Sequence, residues 1–427
     1  MIGLCRRLTA TAALTTLCHS LAASSAVSPE QLLRLDRDLT PVGAERAGNA
    51  AGTIPPWTGG ITQAPASFQP GYHETDPFPE DEPLFRIDAS NAEQYSEYLT
   101  PGQRGLLAQY PDTWYMNVYR TRRSASFPDF VYEAIAGNAK SAKVSLEGRG
   151  GVDNARVSSP FPQPEIGVEV VWNHNLRFRG IRVQRVEGSA ALTRRGRYTR
   201  VLSLQDWAYP YAVPRSTPFT QRYPNVLLAI KSKVVRPSLL SGDGTLVFET
   251  IDQTRDPRKV WVYPRALRRV LRSPQFGYEI PGNNSDGLRT VDDFDLYNGP
   301  PHRYEWTLLG KKEIYIPYNS YEFVFQTELK DALGPKFLDP ELIRWEKHRM
   351  WILEATLKEA GLETHRQTFD TLVPATRECR LTVDGTDVAP VYALGPNGPA
   401  NNTTGGRALS GPLVYLGQGT LAEMKGQ

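Results

Sequence analysis

The sequence predicts an α+β protein: a large, curved antiparallel sheet, lidded by short helices and preceded by an extended Pro/Gly-rich N-terminal arm. Three observations predict it. Between Asp243 and Gln326, short runs rich in Val, Ile, Tyr, Phe and Trp are cut by Gly, Pro, Asn and Asp, the pattern of consecutive antiparallel strands. Similar runs from Gly167 to Leu357 bring the count to roughly nine to eleven, too many for one flat sheet without curling or splitting. Helical signals are short and scattered before and between these runs, which is the composition of a sheet with helices laid on it.

In chain order, Ser28 caps a short helix to Arg37, with Pro29 at its first position and Leu32, Leu33 and Leu35 as its stripe. Leu39 to Pro79 has Pro and Gly throughout and no period, so it reads either as an extended arm anchored by Trp57 between Pro55-Pro56 and Gly59-Gly60 or as a disordered leader. Ser90-Asn-Ala-Glu93 is a capping box for a helix to about Leu99, and Pro101 starts another with Leu106, Leu107 and Tyr110. Tyr115 to Tyr119 reads as a strand, and Phe130 to Leu146 as a helix with Val131, Ile135 and Ala139 on one side. Then come strands at Val168–Trp172, Ile181–Val186, Tyr198–Gln205, Val226–Val235, Thr245–Ile251 and Arg255–Tyr263. Tyr304–Leu309, Lys312–Ile316, Tyr321–Gln326 and Arg349–Leu357 complete the series. From Ala360 to Gln427 there is no Trp, and Gly395 to Gly406 reads as loop or disorder.

The N-terminus has the layout of an export signal: Arg6-Arg7, an uncharged apolar run from Leu8 to Ala23, and small residues at Ser24-Ser-Ala26. That run is short for a bilayer span, and no later stretch is apolar enough to be one. The expected division is a signal peptide at 1–26, a helix and arm at 27–87, a sheet-and-lid domain at 88–358 and a tail at 359–427. Lys and Arg number 49 against 46 Asp and Glu; without Arg6 and Arg7 the balance is 47 to 46. No basic surplus points to nucleic acid. Cys5 and Cys18 fall in the signal, so Cys379 is alone in the mature chain, which excludes an intramolecular disulfide.

The searches for chemistry return little. The six His are spread out with no pair at helical ligand spacing, and no Gly-x-Ser-x-Gly elbow occurs, so neither a metal site nor a cofactor is expected. Asp292, Asp293 and Asp295 could pair carboxylates or hold a cation, but flanked by Thr290-Val291 they read first as a solvated edge or helix start. Trp172-Asn173-His174 could place a histidine in a cleft, yet a lone His without an evident partner reads first as structural. The aromatics carry more. Trp261, Tyr263, Trp306, Tyr315, Phe323, Phe325 and Trp351 lie on successive strands; Trp261 and Tyr263 share parity, as do Phe323 and Phe325. They form either an ordinary core or the lining of an incompletely filled, lipid-accepting sheet, and periodicity does not separate the two.

Many ordered motifs resemble one bacterial envelope family, domain of unknown function 1329. They include Leu39-Thr-Pro-Val-Gly-Ala-Glu-Arg46, Ile54-Pro-Pro-Trp57, Arg122-Arg-Ser124, Trp172-Asn-His174 and Arg255-Asp-Pro-Arg-Lys-Val-Trp-Val-Tyr263. Ser285-Asp-Gly-Leu-Arg289, Asp293-Phe-Asp295, Leu308-Leu-Gly-Lys-Lys-Glu313 and Arg344-Trp-Glu-Lys-His348 continue the match to about Lys358. The resemblance implies a periplasmic protein, peripheral at most to the outer membrane, with an incomplete barrel like that of the lipoprotein carriers LolA and LolB. It implies a non-enzymatic carrier or chaperone for a lipid, lipoprotein or other hydrophobic small molecule. It further implies a partner in a resistance-nodulation-division type exporter or an outer-membrane protein. On that reading the seven aromatics line the cavity. The runners-up are an envelope lipid or glycan hydrolase using Asp292, Asp293 or His174, and an assembly factor with a filled core. After Lys358 the family continues with aromatic strands that this chain lacks, which suggests a divergent or frameshifted end and an open sheet edge.

Overall fold

The computed structural model describes residues 28–35, 37–69, 74–145, 150–193, 195–273, 278–282, 284–334, 336–358, 381–383 and 386–388. The expected signal peptide and almost all of the 359–427 tail lie outside the described residues. The chain begins with α1 (Pro29–Leu32), where Ser28 Oγ accepts the Gln31 N–H and Gln31 returns the bond, as the cap signal predicts. The arm leads to β1 (Phe85–Ile87), a short 3-10 helix at Ala92–Tyr98, α2 (Pro101–Gln109), β2 (Met116–Val118) and α3 (Asp129–Ser141). The expected Ser90 cap is replaced: its hydroxyl donates to Asp88, and Asn91 takes the N-cap position.

Next come β3 (Lys143–Val144), β4 (Val152–Asp153), α4 (Gly167–Leu176), β5 (Arg182–Leu192) and β6 (Tyr198–Ala208). They are followed by α5 (Pro218–Arg222), β7 (Val226–Arg236), β8 (Gly244–Thr250), β9 (Lys259–Tyr263) and β10 (Leu271–Arg272). The last elements are β11 (Tyr304–Pro317), α6 (Leu329–Ala332), β12 (Arg344–Leu357) and the strands β13 (Leu381–Val383) and β14 (Thr386–Val388).

The class is α+β with a large antiparallel sheet. Six strands pair in the order β10-β9-β8-β7-β6-β5, a meander in which sequence neighbours are sheet neighbours. Four more pair as β1-β2-β12-β11, where β2 and β12 run parallel and β11 and β12 form a long antiparallel ribbon. Both sheets are open-edged. β3-β4 and β13-β14 pair separately as two small hairpins. Among the described residues, the arm, helices and both sheets fall in one compact unit that ends at 273 and resumes over 299–358; those of 278–298 and of 381–388 fall in a second. In that second unit Pro281 bridges Thr290, and β13 pairs only with β14 among the described residues.

Two expected strands are helical. Val168–Trp172 lies in α4, because Glu169 at the third helical position reaches back to the Glu165 N–H at 2.7 Å and fixes a helix start. A five-residue apolar run does not by itself distinguish a strand from a buried helix. Tyr321–Gln326 is a π-helical turn at Glu322–Gln326, closed by the Thr327 N–H on the Glu322 carbonyl at 3.0 Å. Phe323 and Phe325 therefore do not share a strand face; Phe325 packs against Tyr321 instead.

The main core lies between the four-stranded sheet and the helices at 92–109. Ile87, Leu99, Leu107, Trp114, Met116, Val118, Tyr315 and Trp345 form it. Tyr315 meets Phe85, Tyr95 and Tyr98 edge-on at 6.4, 6.4 and 6.2 Å. A second cluster joins Val131, Ala134, Ile135 and Val157 to Val42 of the arm.

A candidate ligand cleft under the arm

The arm is not a loose leader. Leu39 is buried against Leu35 and Ala139, and Val42 against α3. Gly43 has φ +85°, and a Cβ there would collide with the Pro162 carbonyl, so this crossing requires glycine. Gly60, at φ +72°, meets the Ala125 carbonyl in the same way. Trp57 does act as the anchor: its Nε1 donates to the Ala125 carbonyl at 3.1 Å, with the Arg46 guanidinium 5.2 Å over its ring.

Two arginines strap the arm's backbone. Arg123 donates to the carbonyls of Glu45, Arg46 and Pro55, and Arg349 to that of Ala47. The Glu45 carboxylate bridges two cations, accepting from Lys311 Nζ at 2.9 Å and Arg349 Nε at 3.0 Å. Burial alone would raise the Glu45 pKa, but Lys311 first and then Arg349 and Arg123 outweigh it and hold the carboxyl below its ordinary value. Burial holds Arg123 below its ordinary value, and Arg349 adds to that.

Below the arm lies a cleft of about 340 Å³. Its roof is Thr40 to Glu45 with Ile54 and Trp57; its floor is Lys311, His348, Arg349 and Trp351 of β11 and β12. Phe127, Tyr132, Ser159, Pro162 and Asn173 close one side, and Arg123, Ala125 and Tyr318 the other. Register explains the floor: Lys311 lies opposite Trp351, and Glu313 opposite Arg349. Farther along the same face come Tyr315 opposite Lys347 and Pro317 opposite Trp345, so one face serves the core at one end and the cleft at the other. A neighbouring cleft of about 630 Å³ shares Ala125 and Tyr318 as its wall.

A buried ion network supports this wall. Asp81 pairs with Arg122 and, at 2.7 Å, with Arg344; Arg344 Nε donates to Glu346 at 2.7 Å. Glu346, fully buried, also takes the Arg122 N–H and Asn319 and lies 3.3 Å from His348. Hydrogen bonds from Arg122 and Arg344 pull the Asp81 pKa down to about 2 against the effect of burial.

The aromatics chosen from sequence are dispersed. Trp351 lines the cleft and carries Lys311 Nζ 4.5 Å above its ring; Phe325 lines the neighbouring cleft. Trp261 and Tyr263 do share a face of β9, the open face of the six-stranded sheet, where Trp261 packs on Phe248. Trp306 bonds the Pro301 carbonyl and packs beside Tyr304, and Tyr315 is core. Phe323 lies in the π-helical turn. Of the polar trio, Trp172 is buried, Asn173 lines the cleft while bonding Phe161 through both backbone groups, and His174 lies beside Arg177. Asp292, buried, accepts from the Thr290 hydroxyl at 2.5 Å, and exposed Asp293 from the Thr290 N–H at 2.9 Å; both belong to the second unit. Asp292 and Asp293 thus serve local turns. Sequence reasoning missed Glu45, Arg123, Lys311, Arg349 and Tyr318 as site residues, although the first four stand in or beside the motifs quoted above.

The profile of the family described as protein of unknown function DUF1329 matches residues 86–368. The chain belongs to that family. An uncharacterized Pseudomonas aeruginosa protein, PA3922, is 42% identical over 335 residues, 78% of this DUF1329 chain and 73% of its own length. Among solved structures, a Vibrio parahaemolyticus domain described as an outer membrane lipoprotein-sorting protein aligns at TM-score 0.28 and 12% identity. That alignment covers 45% of this chain and 61% of the other. A DUF1329 family protein from Desulfovibrio piger aligns at TM-score 0.25 and 15% identity, over 42% of this chain and 53% of its own. The chain thus spans less than two thirds of either solved protein, and its fold rests on its own sheet topology.

Proposed function

We propose that this protein is a non-enzymatic periplasmic carrier of a hydrophobic cargo, exported by its first 26 residues, with the cargo seated in the cleft beneath the arm. The single observation that carries this reading is the roofed cleft of about 340 Å³ whose walls include Trp57, Ile54, Val42, Phe127 and Trp351. Concave, largely apolar sites with a few placed polar groups are where small hydrophobic ligands bind. Each buried methylene would add ~0.8 kcal/mol of affinity. Of the aromatics selected from sequence, the reading retains Trp351 as lining. A resistance-nodulation-division type exporter or an outer-membrane protein is the proposed partner for delivery.

The test is mass spectrometry of organic extracts of the protein, purified without detergent from its native periplasm, beside a Trp57→Ala/Trp351→Ala variant. An apolar molecule recovered in stoichiometric amount and lost in the variant is the expected result. Equal recovery from both would remove the cleft as the site. No ligand from either would favour the assembly-factor reading, with the aromatics as plain core.

A further inference from the structure

The lining of the cleft is unbalanced in charge. Three cations face it, Arg123, Lys311 and Arg349, against one lining carboxylate, Glu45; Glu313, beside the lining, lies 3.6 Å from Arg349. Glu45 comes from the arm and sits between Lys311 and Arg349, with one oxygen on each. Lys311 also lies over the Trp351 ring, so the cationic patch and the apolar floor adjoin. Half-buried cations are costly without an anion to answer them. The cleft, at about 340 Å³, is near the small end of the ~300–1,000 Å³ that ligand sites span.

We propose that the cleft selects a single-chain amphiphile with an anionic head group, a carboxylate or phosphate. This inference rests on the carrier reading and names its cargo class. The head group takes the place between Lys311 and Arg349 that Glu45 holds, and the tail lies between Trp57, Phe127 and Trp351. Glu45 is then the arm's own anion, competing with the cargo for the same two cations. A cargo head that displaces it frees one of the contacts that hold the roof, which couples loading to the arm.

Calorimetric titration of the full chain with dodecanoate, dodecyl phosphate, dodecanol and dodecyltrimethylammonium tests this, each below its micellar concentration. Both anions are expected to bind roughly tenfold more tightly than dodecanol, what one charge-assisted hydrogen bond supplies at a part-exposed site, and the cation most weakly. Preference between carboxylate and phosphate separates a fatty-acid source from a phospholipid source. The readout for variants is the ratio of anion to alcohol affinity, which a general loosening of the fold does not move. Lys311→Gln should lower that ratio severalfold, and Glu45→Gln, by removing the competitor, should raise it. A wild-type ratio near one, or a ratio unchanged in Lys311→Gln, overturns the head-group inference and leaves the carrier reading standing. Binding of none of the four overturns both.

Discussion

The four-stranded and six-stranded sheets are built by different means. In the six-stranded meander each strand pairs with the next in sequence, and one row, Val183, Trp207, Ile230, Val247 and Val260, crosses five strands on the buried face. The opposite face leaves the cross-strand pair Val186 and Leu204 exposed, in the same row as Tyr263. In the four-stranded sheet two local pairs, β1-β2 and β11-β12, are joined through remote partners, β2 and β12, and beside that joint the Arg122 N–H reaches Glu346 across 224 residues. There the buried ions form a network, where the meander holds, among the described residues, the buried pair Arg258–Glu249 at 2.6 Å, and the arm and α4 meet one ribbon. A sheet assembled from local hairpins takes its register mainly from alternation of apolar and polar residues and from its turns. A sheet assembled from distant segments also needs directional contacts to fix which segments meet, and the candidate cleft lies where those contacts are.

The largest effect expected from this contrast is at Arg344. Arg344→Ala leaves Asp81 and Glu346 buried without their shared partner, and urea denaturation should show a loss of about 3–5 kcal/mol. A loss below about 1 kcal/mol would erase the distinction between the two sheets. Acid should act on the same network. A folded-state pKa lowered from 3.8 to about 2 means Asp81 stabilises the fold above its unfolded value. That contribution, on the order of 2 kcal/mol, drains away as pH falls from about 4 through about 2. Stability measured over that range should flatten in Asp81→Asn; an unchanged slope would move the acid sensitivity elsewhere. The smallest effects separate the two faces of the meander. Val260→Thr buries an unpaired hydroxyl and should cost about 1–3 kcal/mol, whereas Val186→Thr on the open face should stay within about 0.5 kcal/mol. Equal losses at both positions would mean that the Val186 face is covered.

Much of the fold was legible. The Ser28 cap, the Pro101 start of α2, the start of α3 and nearly every long strand followed from caps and alternation, which depend on neighbours in sequence; α3 ends at Ser141 rather than Leu146, because Lys143–Val144 pairs with Val152–Asp153 instead. The failures share a cause. Val168–Trp172 and Tyr321–Gln326 are short apolar runs whose helical form was decided by single bonds, Glu169 to Glu165 and Thr327 to Glu322. The site was less legible. Aromatic alternation pointed along the strands, and only Trp351 among the selected aromatics lines the cleft under the arm. Trp57 stood out in sequence as an anchor, but nothing near Glu45 in sequence indicates Lys311 or Arg349.

By itself the sequence determined the class, most of the strands and the family, because propensity, capping and motif order are written over a few residues at a time. Only the tertiary structure decided that the strands divide into two sheets and that the arm roofs a cleft. It also decided that Glu45 meets Lys311 and Arg349 there. Charges hundreds of residues apart have no period to read; they become neighbours only when the chain closes on itself.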